Sequence, residues 1–140
     1  MFSKIKKLNK IELLATAILL VISVLFLVQN VRTQRQEARN EERVADLSQQ
    51  DFLLKKFFEE EGYYPSEEDY ADQDWREDNL DKPNSVLFVP PSGVVSGTAE
   101  YLYQPKADEE ECVKAGKKCN NFTLTTSMEA GEPDFVRKSL

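Results

Sequence analysis

The residues able to do chemistry are few: two cysteines, Cys112 and Cys119, one acid, Glu12, at the mouth of an apolar run, and a crowd of carboxylates from Glu67 to Asp81. The chain has no histidine, so the usual general base is missing, and no Ser-x-x-Lys or Gly-x-Ser-x-Gly context activates a serine. Acids do occur in pairs, but in a polar segment with no apolar pocket to raise one pKa. An enzyme is therefore not expected. Two thiols without histidine leave tetrahedral zinc short of ligands. In an oxidising compartment they read instead as a disulfide closing a short loop, worth about 2 to 3 kcal/mol by chain entropy.

The compartment follows from the element that carries Glu12. Residues 13–28 are uncharged and apolar, and Lys4, Lys6, Lys7 and Lys10 precede them. That pattern is a single membrane-spanning helix over 11–29, with a basic leader, 1–10, held in the cytoplasm by the positive-inside rule. Small residues that would mark a cleavage site are absent from Gln29-Asn30-Val31-Arg32-Thr33, so the segment reads as an uncleaved signal anchor. No Gly or Pro follows until Gly62, so the helix is expected to continue through 30–61, about 50 residues or roughly 75 Å in all. Residues 62–140 would then form a small extracytoplasmic head. Charge divides the same way: 1–40 carry seven Lys or Arg against two acids, and 41–140 carry eleven against twenty-three. The basic end suits an anionic lipid bilayer, and the acidic head argues against nucleic acid as a partner.

Between Gln29 and Glu42 the helix reads as polar all round. Beyond it Val44, Leu47, Leu54 and Phe58 fall on one face, widened by Leu53 and Phe57, so this half should pack on the head. Gly62 and Pro65 stop the helix. Residues 66–83 are acidic, without clear period, and are expected to be irregular or partly helical. Residues 85–89 read as a short strand ended by Pro90-Pro91, and 93–97 as a turn. In residues 100–104, Tyr101 and Tyr103 share a face opposite Leu102. Residues 122–129 give the clearest strand, with Phe122, Leu124, Thr126 and Met128 on one side and Thr123, Thr125, Ser127 and Glu129 on the other. Residues 105–121 join these two strands and hold both cysteines, and Phe135-Val136 adds a short edge strand. The expected class is α+β, the long helix packed on a small antiparallel sheet.

Two stretches resemble a known family. Ile11-Glu12-Leu13-Leu14 opening the apolar run is similar to the N-terminal signature of type IV pilins and type II secretion pseudopilins. Arg43-Val44-Ala45-Asp46-Leu47, Leu53-Leu54, Phe57-Phe58 and Gly62-Tyr63-Tyr64-Pro65 resemble the distal half of the same family's long helix and the Gly-x-Tyr-Pro that ends it. The stretch from Phe122 to Gly131 looks like the last main strand of pseudopilin-like heads. The likeness covers residues 8–65 well, 99–131 loosely, and 66–98 not at all. It departs at one point: with the family's Glu counted fifth, Lys7 stands where a Gly precedes the cleavage site, so that processing site is missing.

The resemblance implies a subunit of a type IV pilus or type II secretion-type filament, whose apolar helix bundles with those of other pilin-like subunits. Glu12, Leu13, Ala15, Ala17 and Leu20 would carry that packing. Glu12 itself reads either as an interfacial acid snorkelling to water or as an intersubunit charge contact. Some pseudopilin heads bind calcium, and the acids Glu67, Glu68, Asp69, Asp72, Asp74, Glu77, Asp78 and Asp81 could hold it, although they lack the EF-hand order. The other expectation, favoured by the missing Gly, is a non-polymerising single-pass adaptor that binds a partner through its acidic head.

Overall fold

Helix α1, Lys10–Glu61, is the dominant element of a computed structural model that describes residues 9–81, 85–95, 97, 100–108 and 110–139. The leader residues 1–8 and Lys82-Pro83 lie outside the described residues. Two units divide the chain, 1–35 and 36–140. In the first, the helix starts after Asn9, whose carbonyl accepts the Leu13 N–H at 3.1 Å. This is one helix long and apolar enough to cross a membrane. Thr16, Ser23 and Thr33 return their hydroxyls to carbonyls three or four residues back, Ser23 Oγ at 2.8 Å from the Leu19 oxygen. A hydroxyl bonded within its own helix is not left unsatisfied in apolar surroundings.

The second unit is α+β. Its part of α1 ends at Glu61, where Gly62 takes φ +76° and returns its N–H to Phe58 at 2.8 Å. Glycine adopts that left-handed turn without the Cβ clash other residues meet. Two short helices follow, α2 Glu67–Ala71 and α3 Gln73–Asn79. Ser66 Oγ caps α2 through the Asp69 N–H, and Asp72 caps α3 through the N–H groups of Asp74 and Trp75. Four antiparallel strands then form one sheet in the order β2-β1-β3-β4: β1 Leu102–Ala107, β2 Glu110–Glu111, β3 Asn121–Thr126 and β4 Phe135–Lys138.

Alternation sets the buried face. Tyr103 on β1 and Phe122, Leu124 and Thr126 on β3 are buried. Tyr103, Phe122 and Leu124 form the core with Leu47 and Leu54 of α1, and Tyr64, Tyr70 and the two cysteines complete it. Phe58 stacks on Tyr64, which meets Phe122 edge-on at 4.7 Å. Cys112 and Cys119 form a disulfide, and Tyr64 exchanges both backbone hydrogen bonds with Cys119 just past the end of α1.

Three expectations need correction. Residues 85–89 are not a strand: Ser85–Phe88 is a turn of 3-10 helix. An apolar run this short has no period to separate strand from helix, and Pro90-Pro91 cuts it off from any ladder. The strand expected over 122–129 ends at Thr126; Ser127, Met128 and Glu129 follow it, all buried, with Glu129 in an isolated antiparallel bridge to Val95. The buried face of α1 begins at Asn40 and Arg43 rather than near Val44.

Candidate functional site

The charged group least expected inside a protein lies at the centre of the head. Glu129 is 1% exposed and Arg43 likewise. Arg43 Nη1 donates to Glu129 Oε1 at 3.0 Å, and Arg39 grips the same carboxylate with Nε on Oε1 and Nη2 on Oε2, both at 2.6 Å. The second Arg43 nitrogen, Nη2, donates to the Pro91 carbonyl at 2.9 Å. Asn40 closes the group from the backbone side: its Oδ1 accepts the Glu129 N–H at 2.9 Å and an Arg43 N–H at 3.1 Å. A bidentate Arg on one carboxylate is among the stronger charge-assisted contacts. The hydrogen bond from Arg39, aided by Arg43 and opposed by burial, holds the Glu129 carboxyl down to about 2.

Helix period explains how α1 supplies these groups. Asn40, Arg43, Leu47, Gln50, Leu54 and Phe57 are spaced three and four apart, and all are buried. The upper turns of that face are polar because they meet the loop after β3 and the segment around Pro91, which present carbonyls and a carboxylate rather than side chains of a sheet. Gln50 continues the pattern, donating to the Leu87 carbonyl and accepting the Tyr70 hydroxyl, each at 2.7 Å. Gly93 is required beside the node. A Cβ there would land on the Glu129 carboxylate and 2.9 Å from Arg39 Nε. With every polar atom of Glu129 engaged, the node has no open position for a substrate. It fixes three chain segments together.

Beside the node lies a groove of about 400 Å³, lined by the apolar Val44, Ala45 and Met128, by Asn40, and by three acids, Glu37, Glu41 and Glu132. Val44, expected within the helix-to-sheet core, is only half-buried and lines this groove, whereas Met128, which also lines it, is buried as expected. Leu47, Leu54, Phe122 and Leu124 are in the core itself, with Phe58 packed against it. On the other side of the helix, Asp46 Oδ2 accepts the Tyr101 hydroxyl at 2.6 Å, and burial pushes the Asp46 carboxyl up against that hydrogen bond.

In the first unit the residues expected to carry assembly, Leu13, Ala15, Ala17 and Leu20, are all exposed, Leu20 at 66%. Glu12 is exposed too, and its Oε2 accepts the Asn9 N–H at 3.1 Å. That is the acid's half of a capping box, a local use for the carboxylate beside the two read from sequence.

Five of the eight acids of 67–81 have side-chain partners inside the chain. Glu68 accepts the Ala115 N–H and Asp69 the Gly116 N–H, each at 2.8 Å, so α2 grips the disulfide loop. Asp72 caps α3, Glu77 accepts from Gln73, and Asp81 pairs with Lys56. Among the described residues no group of three His, Cys, Asp or Glu is placed to hold a metal ion.

No family model matches this chain, and comparison with curated proteins and with solved structures gives no match either.

The residues that sequence reasoning missed are Arg39, Asn40, Arg43, Gly93 and Glu129. The one available signal was the spacing 40, 43, 47, 50, 54, in which polar residues occupy positions of the apolar stripe.

Proposed function

We propose that this chain is a membrane-anchored subunit of the pilin-like or pseudopilin-like kind, with its N-terminus in the cytoplasm and its head outside. Its apolar helix would assemble laterally with those of other subunits into a type IV pilus or type II secretion-type filament. The observation that carries this reading is a single helix, Lys10–Glu61, that serves two surroundings. At one end its apolar residues from Leu13 to Val28 are uncovered. At the other it supplies Leu47 and Leu54 to the core of an α+β head. Supporting it are the helix stop at Gly62 and the last main strand, β3, that the resemblance leads one to expect.

Lys7 in place of the processing Gly shapes the mechanism. An uncleaved chain offers no new amine to a neighbour's Glu12, and Glu12 already accepts the Asn9 N–H. Assembly then rests on van der Waals packing of the apolar helices, with Ala15 and Ala17 allowing close approach of two backbones. The same lysine favours the second reading, an anchored adaptor that stays monomeric and binds a partner through its acidic head.

Oxidative cross-linking of Leu20→Cys in the protein's own membranes separates the two. Lateral assembly gives disulfide-linked copies of this chain. A monomer at native expression level, with the variant inserted normally, overturns the filament reading in favour of the adaptor.

A further inference from the structure

The groove beside the ionic node and one stretch of the first unit carry opposite, unanswered charges. Glu37, Glu41 and Val44, spaced four and three apart, share a helix face, and Glu132 faces the same groove. Among the described residues, none of these three carboxylates has a hydrogen-bond or ion-pair partner for its side chain. In the first unit Val28, Val31, Arg32 and Arg35 share a helix face by the same period, the two valines 44% and 45% exposed. Neither Arg32 nor Arg35 has an ion-pair partner among the described residues.

Sequence spacing rules out the ordinary answer, in which each charge is paired one helical turn away. The residues three and four before or after Arg32 are Val28, Gln29, Arg35 and Gln36, and those around Arg35 are Val31, Arg32, Ala38 and Arg39. Around Glu37 they are Thr33, Gln34, Asn40 and Glu41, and around Glu41 they are Glu37, Ala38, Val44 and Ala45. Neighbours at these spacings are either neutral or of like sign, which disfavours the isolated helix. Each face pairs an apolar strip with one sign of charge, and the two signs are opposite.

We propose that the groove of one copy receives the Val28, Val31, Arg32 and Arg35 face of a second copy, the valines on Val44, Ala45 and Met128 and the arginines among Glu37, Glu41 and Glu132. It rests on the filament reading and names the contact that would set the register between subunits. Because the two surfaces differ, the contact is heterologous, and repetition gives an open array rather than a closed dimer.

The test uses the full chain in its own membranes, with two singly substituted forms, Arg35→Cys and Glu41→Cys, expressed together and oxidised. A linked pair containing one of each form is expected. Glu37→Lys and Glu132→Lys in the Glu41→Cys form should lower the linked fraction by about tenfold, and Arg32→Glu in the other form should recover part of it. The substituted residues Arg32, Arg35, Glu37, Glu41 and Glu132 are all exposed and charged, and head melting temperature checks that the fold is intact. Linkage through Leu20→Cys without linkage between 35 and 41 overturns the groove contact and leaves the filament reading standing. Linkage between 35 and 41 without linkage through Leu20 supports the groove contact and overturns bundling of the apolar helices. Cross-linking of Glu41→Cys to a different protein alone overturns the proposal and identifies a foreign occupant.

Discussion

Glu129 shows why a buried carboxylate can hold a fold together without being the source of its stability. Desolvating it and Arg43 is unfavourable, and their attraction offsets this only because Arg39, Asn40 and the Pro91 carbonyl satisfy the remaining lone pairs and protons. Removing one partner leaves the other buried and unmatched, so Glu129→Gln should cost about 3 kcal/mol near neutral pH. The pH dependence has a definite sign. The folded carboxyl sits at about 2 against an ordinary 4.5. Its contribution is therefore complete above the ordinary value and is lost as pH falls toward the folded one. Thermal melts of wild type and Glu129→Gln should differ most at neutral pH, draw together as pH falls below the ordinary carboxylate range, and converge at about pH 2. A gap that stayed constant with pH would mean that the carboxylate's charge is irrelevant to the node. Nothing local in the sequence announced this residue, because Arg43 lies 86 positions away and charged types are read as solvent-facing by default.

Elements were legible where their period was long or their alternation clean. Helix α1 ends at the Gly that the sequence marks, and β3 keeps Phe122 and Leu124 inside and Thr123 and Thr125 toward the other face. Residues 85–89 failed because a run that short carries no period, and the end of β3 was misplaced because alternation persists in the letters after the ladder has stopped. The α1 stripe was half seen: Leu47 and Leu54 were found, whereas Asn40, Arg43 and Gln50 were passed over as polar. This predicts an asymmetry along one helix. Leu54→Ala, at a fully buried position, should cost about 2 to 5 kcal/mol, while Arg35→Ala should stay within about 0.5 kcal/mol. Melts of the full chain in detergent would decide it. Equal, small effects would mean that α1 is not part of the head's core.

At the scale of the whole molecule, the topology inferred from Lys4, Lys6, Lys7 and Lys10 has a direct measurement. Protease added to intact spheroplasts should digest the chain beyond Arg32 and leave the first thirty or so residues protected. A protected head would reverse the orientation and, with it, the compartment in which Cys112 and Cys119 are oxidised.

Order of emergence gives the ionic node a further meaning. Synthesis from the N-terminus presents Arg39, Asn40 and Arg43 long before Glu129, and until then both guanidiniums lack the carboxylate that they share in the finished fold. A product interrupted anywhere short of Glu129 keeps a helix that cannot close over its own charges. Completion of synthesis is thereby written into the fold as an electrostatic condition: the node closes only once residue 129 has been made.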